Sequence, residues 1–212
     1  MQAISESALN ELRAVVASRL GEYRFQHTLG VEETMARLGE IYLPYRIPAL
    51  RAAGLLHDLT KEWSSEEQLA YCKENKIPVS PAELAAPRIL HAKTGAHLAS
   101  REFAAYTDPE MLFAIARHTI GAYEITLFDG LLYLADYIEP TRKFPECCRL
   151  REDFFEGVTG VGDPVMHLYQ ILIRAFSESI EEVKGHGGMV ADETIGAISF
   201  LRECIKKRNI IT

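Results

Sequence analysis

Helical periodicity dominates this chain, with apolar residues recurring at intervals of three and four. That spacing lines one side of a helix and would scatter over both faces of a strand. Leu9, Leu12, Val15, Val16 and Leu20 make such a stripe, and Ser5 or Ser7 can cap the helix that carries it. Helices are predicted over about 5–20, 22–43, 47–59, 64–74, 88–105, 109–121, 125–138, 164–184 and 192–207. Pro44 and Pro48 interrupt early in the chain. Asp108-Pro109 and Asp163-Pro164 each pair a capping carboxylate with a first-turn proline, and Gly-His-Gly-Gly at 185–188 ends the longest late helix. The stretches 75–84 and 141–148 read as loops. No strand pair with hairpin turn chemistry, internal repeat or low-complexity tract is visible. The expectation is an all-α, bundle-like single domain over 1–212, with a core at about 22–145, a C-terminal helical part at about 153–212 and a boundary near 151–163.

Bulk properties narrow the partners. With 212 residues and 48% of them hydrophobic, the chain can bury a core without staples. Its net charge is −7 and it has no basic block, which argues against a nucleic-acid polymer. A small anion held by a few cations or metal ions stays open. Cys72, Cys147, Cys148 and Cys204 form no CxxC pair, and adjacent Cys147 and Cys148 suit a disulfide framework poorly. The N-terminal stretch is polar and amphipathic, unlike a signal peptide, and no apolar run approaches the ~20 residues of a membrane span. A reduced, cytoplasmic protein with no membrane partner is expected. The apolar faces of the last two helices must cover the core or a second subunit, which leaves a homodimer open.

Five places set a metal-binding side chain in an apolar helical context: His27, the pair His57-Asp58, His91, His118 and Asp136. Singly, each has a bland explanation as a hydrogen-bonded helix-end residue. Jointly, they fall on five predicted helices, and side chains from facing helices of a bundle converge on one interior point. Four imidazoles and two carboxylates form a mixed nitrogen–oxygen set for first-row transition metals. Six donors exceed what one tetrahedral ion needs, so two ions with a shared carboxylate are expected. Neighbouring residues on a helix point about 100° apart. His57 can therefore hold one ion while Asp58 reaches between two.

His27, then His57-Asp58, then Asp136, resembles the H…HD…D signature of HD-domain metal phosphohydrolases, and His91 and His118 match the two additional histidines of the dinuclear members. The segments RFQHTLGVEETMARL, AAGLLHDLTK, ILHAKTGAHLA, ARHTIG and YLADYIEPTR resemble, in that order, the YqeK-type HD proteins, which are bacterial symmetrical diadenosine-tetraphosphate hydrolases. The resemblance implies an HD-domain bundle with additional C-terminal helices. It implies that His27, His57, Asp58 and Asp136 hold one divalent ion and that Asp58, His91 and His118 hold another. Iron is the metal it suggests first, with manganese, nickel or zinc as alternatives. The implied reaction is hydrolysis of a dinucleoside polyphosphate to two nucleoside diphosphates by a metal-activated hydroxide. Lys61, three residues after Asp58, and Arg142, matched by the last segment, are the candidate phosphate clamps beside catalytic Asp58.

The cyclic-dinucleotide phosphodiesterases of the same superfamily carry Gly-Tyr-Pro, which is absent, and the guanosine-tetraphosphate hydrolases an acidic pair shortly after HD, where this chain has Leu59-Thr60-Lys61. Alternatives are an HD nucleotidase or deoxynucleotide phosphohydrolase, and a non-catalytic nucleotide-binding HD protein. Arg88 reads as a surface residue, and His97, His167 and His186 as structural. Thr28 and Thr119, next to ligands, read as partners that orient them. Trp63 and Tyr137 read as packing residues.

Overall fold

The computed structural model describes residues 4–211, with side chains described through Arg208. Met1–Ala3, part of the stretch read as unlike a signal peptide, lie outside it. The elements are α1 (Glu6–Ala17), α2 (Glu22–Tyr42), α3 (Ile47–Leu56), α4 (Ser65–Glu74), α5 (Pro81–Ala85), α6 (His91–Glu102), α7 (Pro109–Arg117), α8 (Leu127–Ile138), α9 (Pro145–Val158), α10 (Pro164–Gly185) and α11 (Asp192–Ile211). Short 3-10 turns at Pro44–Arg46 and Pro87–Leu90 lead into α3 and α6. The described residues contain no strand, so the fold is all-α as expected, and no helix is long and apolar enough to cross a membrane.

Helix starts follow the capping signals. Asp108 accepts from the Met111 N–H at 2.9 Å, and Asp163 from those of Val165 and Met166. Ser64 with Glu67, and Thr126 with Asp129, form reciprocal capping boxes. Two helices lie where loops were expected. Ser80 and Glu83 close a capping box that opens α5, and α9 begins at Pro145 and occupies much of the expected boundary stretch. Several predicted helices are also shorter than read: α1 ends at Ala17, α3 at Leu56 and α7 at Arg117, and a 3-10 turn replaces the helix before His91.

The core is centred on α8, whose Phe128, Leu131, Leu132, Leu134, Ala135 and Ile138 are buried. Burying one such leucine or phenylalanine contributes roughly 1.5–3 kcal/mol. The apolar faces of the last two helices cover this same core through Leu168, Leu172, Phe176, Ala197 and Leu201.

Helices α2 and α3 pack so closely that the contact needs a residue without a side chain. A Cβ at Gly54 would lie 2.9 Å from the Glu32 Cα and 3.0 Å from its N. This approach brings His27 and His57 together, with ring centroids 5.4 Å apart. The pairing is held farther out by Glu32, which is buried and receives Arg13 from α1 and Arg51 from α3.

Candidate metal centre

All six predicted ligands converge where helices end. His27 lies in the second turn of α2, His57 caps the C-terminus of α3, His91 opens α6, His118 caps the C-terminus of α7, and Asp136 stands in the last turn of α8. Asp58 follows α3 in a turn rather than within the helix. Helix ends are where main-chain groups are left without intrahelical partners, so the chain can turn a polar side chain inward there at little cost.

The four imidazoles share one orientation. Nδ1 of His57, His91 and His118 each lies 2.7 Å from the carbonyl oxygen three residues earlier, on Gly54, Arg88 and Ile115 respectively. A carbonyl only accepts, so each Nδ1 carries the hydrogen and each Nε2 lone pair faces the interior. Glu139 holds His27 in the same orientation, with its Oε1 3.0 Å from Nδ1 and Nε2 turned to the interior.

The Nε2 atoms surround Asp58. Its Oδ2 is 3.6 Å from His27 Nε2 and 3.4 Å from His57 Nε2, and its Oδ1 is 3.2 Å from His91 Nε2 and 3.7 Å from His118 Nε2. Asp136 Oδ1 is 3.1 Å from His27 Nε2, and the His91 and His118 Nε2 atoms are 3.1 Å apart. Two donors bound to one ion at about 2.0–2.1 Å stand roughly 3–3.4 Å apart, so these separations match those of ligands sharing an ion. Two groups, His27/His57/Asp136 and His57/Asp58/His118, have all their donor atoms within 4.8 Å of one another. His27 Nε2, His57 Nε2 and Asp58 Oδ1 are buried and have no hydrogen-bond partner. Orphaned buried lone pairs cost free energy unless something satisfies them, and a divalent cation does so. The donor set therefore fits divalent metal.

Electrostatics reflect this crowding. Burial disfavours charge on Asp58, Asp136, His91 and His27. Against that burial, the imidazoles of His57, His118 and His91 hold Asp58 well below the usual carboxylate range, and His27, Arg142 and His57 do the same for Asp136. Burial, reinforced by Lys61 and His118, pushes His91 down to about 4 despite Asp58. His27 goes the other way: burial is overcome by Asp136 and Glu139, which lift it to about 9.

The predicted cations also reach the site. Lys61 Nζ is 3.1 Å from His91 Nε2, although a turn, not a shared helical face, carries it there. Arg142 donates to Asp136 Oδ1 at 2.7 Å and to the Asp136 carbonyl at 3.0 Å. Two further residues escaped the sequence reading. Arg24, one helical turn before His27, donates to Asp58 Oδ2 at 2.8 Å. Glu139 is fully buried, and its carboxylate accepts from Thr141 as well as from His27. An arginine three residues before a ligand and a glutamate three after one were the available signals.

The remaining expectations divide. Arg88 is exposed, His97 pairs with Tyr71, His167 faces the Phe154 carbonyl and His186 ends α10. Thr28 orients no ligand, because its buried hydroxyl has no partner. Thr119 lines a cavity beside His118, and Trp63 packs edge-on to Tyr71.

Comparison with known proteins agrees with this geometry. The HD domain family model matches residues 24–141. The chain is 36% identical, over 67% of its length and 75% of the relative's, to a symmetrical bis(5'-nucleosyl)-tetraphosphatase from Bacillus subtilis. It is 35% identical to the Halalkalibacterium halodurans protein of that name, over 65% of its length and 72% of the relative's. A solved structure from Clostridium acetobutylicum, described as a predicted HD superfamily hydrolase involved in NAD metabolism, matches with a TM-score of 0.80 at 30% identity. That match covers 92% of this chain and 96% of the other.

Proposed function

This chain belongs to the HD domain family, and from that premise we propose that it hydrolyses diadenosine tetraphosphate and related dinucleoside polyphosphates symmetrically to nucleoside diphosphates. The observation that carries the metal-dependent part is the ring of four inward-facing Nε2 atoms around Asp58. The choice of substrate is supported by two relatives named for that reaction, each at least 35% identical over nearly two thirds or more of this chain.

In this reading two divalent ions occupy the cluster. His27, His57, Asp58 and Asp136 would hold one, and Asp58, His91 and His118 would hold the other. Iron is the metal proposed, with manganese, nickel or zinc able to satisfy the same donors. When bound, such ions lower the pKa of a coordinated water toward neutrality and offset charge on phosphate oxygens.

The protein's own groups do the rest. Each Nδ1–H contact fixes a ring so that no reorientation is needed as substrate arrives. Lys61 lies by His91, Arg24 by Asp58 Oδ2 and Arg142 by Asp136. Three cations against a polyphosphate supply the charge-assisted contacts that hold it in register, and the arginine forks can bind two oxygens at once. The leaving group is a nucleoside diphosphate, whose departure needs little protonation.

The test is product analysis. Protein loaded with each metal in turn should convert diadenosine tetraphosphate to ADP alone. Production of ATP with AMP, or no turnover with any of these metals, would contradict the proposal.

A further inference from the structure

A cavity of about 240 Å³ opens beside His118 and Asp136 and leads away from the cluster. Its far wall is Ser179 and Glu182 of α10, and Phe144 and Glu146 at the start of α9 are on its rim. A second depression shares Tyr137, Glu146 and Glu182 with it and continues over α10. The result is one furrow running from the cluster onto a helix outside the residues that match the family model. The wall is fastened in place at this point. The Tyr133 hydroxyl meets Ser179 Oγ at 2.9 Å, Tyr137 donates to Glu178 at 2.9 Å, and the Tyr133 ring stacks on Phe176 with centroids 3.9 Å apart.

The charge of the furrow changes along its length. Arg142 stands at the cluster end, and beyond it the lining carries Glu146, Glu178, Glu181 and Glu182 with no lysine or arginine. A polyphosphate would meet like charge along that route. A nucleoside would not, because it is neutral and its ribose hydroxyls and exocyclic amine are hydrogen-bond donors. Ionised carboxylates only accept. Glu178 is already engaged by Tyr137, but the Glu146 and Glu182 carboxylates carry no side-chain hydrogen bond or ion pair among the described residues. Phe144 is 57% exposed, an aromatic face held at the mouth of a polar cavity.

We propose that this furrow is a nucleoside subsite: a purine base stacks on Phe144, and Glu146 and Glu182 accept hydrogen bonds from its amine and ribose. The inference rests on the dinucleoside-polyphosphate reading, and it makes α10 a specificity element rather than only a support. The phosphates stay with Arg142 and the cluster.

The test compares metal-loaded, full-length wild type with Phe144→Ala and Glu182→Ala. Three quantities are read: KM for diadenosine tetraphosphate, ADP binding by calorimetry, and inhibition by inorganic tripolyphosphate. Losing one base-stacking contact of ~1–3 kcal/mol should raise KM and weaken ADP roughly 5- to 150-fold in Phe144→Ala. Glu182→Ala should show a smaller loss in the same two quantities. Tripolyphosphate has no nucleoside, so its inhibition should be the same in all three proteins. Unchanged KM and ADP affinity in both variants would overturn the subsite, and so would a parallel loss of tripolyphosphate inhibition. If the wild type leaves diadenosine tetraphosphate intact, the substrate proposal fails, while the ADP measurement still decides whether the furrow takes a nucleoside.

Discussion

Replacing Gly30 with alanine should damage a metal ligand it never touches. Gly30 is one turn after His27 in α2, and a Cβ there would stand 2.2 Å from Glu139 Oε2 and 3.1 Å from its Cδ. The glutamate has nowhere to move without loss: it is fully buried, Oε1 faces His27 Nδ1 at 3.0 Å, and Oε2 accepts from the Thr141 N–H at 2.6 Å. Two effects of opposite sign compete. Glycine to alanine inside a helix gains about 1 kcal/mol of propensity. Displacing a carboxylate from hydrogen bonds to a charged or strongly polar partner costs about 1.5–3 kcal/mol. The net is a loss of roughly 0.5–2 kcal/mol, which for a chain of this size lowers the midpoint of thermal unfolding by about 1–8 °C. Losing the group that orients His27 should also weaken metal binding by about 10- to 100-fold. Thermal melts and metal titrations of Gly30→Ala measure both. In a Glu139→Ala background the clash is gone, so adding Gly30→Ala should stabilise by about 1 kcal/mol. If Gly30→Ala alone melts at or above wild type and holds metal as tightly, the Glu139–His27 linkage is wrong.

Other substitutions probe the rest of the site. Asp58→Ala removes the carboxylate at the centre of four imidazoles and should abolish turnover and metal retention while far-UV circular dichroism stays close to wild type. Gly54→Ala sets a Cβ against the Glu32 backbone, which cannot yield as a side-chain tip can. It should cost about 1–3 kcal/mol in denaturant unfolding and, by parting His27 from His57, metal content as well. Lys61→Ala should keep its metal but lose roughly 10- to 100-fold in kcat/KM, the range expected for a charged hydrogen bond. Loss of metal in that variant would make Lys61 a structural neighbour of His91 instead of a phosphate clamp.

Much of this was legible because the site sits at helix ends, where sequence punctuation is strongest. Gly121 and Pro140 follow the ends of α7 and α8, where His118 and Asp136 turn inward, whereas neither proline nor glycine marks the end of α3 at Leu56, so His57 and Asp58 read as helical. What the sequence concealed falls into two kinds. Some signals were present but faint: Ser80 and Glu83 are spaced for a capping box within a proline-containing stretch, and Pro145 opens α9 after Phe144, a residue with no capping side chain. Other features are purely tertiary. Glu139 meets His27 across 112 positions, and Gly30 is needed only because that carboxylate lies over it. The furrow over α10 likewise exists only because Tyr133 and Tyr137 fasten Ser179 and Glu178 beside Asp136. Periodicity reports which face of a helix is buried, not which distant group it is buried against.

Metal stoichiometry of the purified protein, measured by elemental mass spectrometry after loading and extensive dialysis, is the most direct test of the account. Two divalent ions per chain should be retained by the wild type and lost from Asp58→Ala. A wild type that retains none, with His27, His57 and Asp58 still buried and unpartnered, would contradict it.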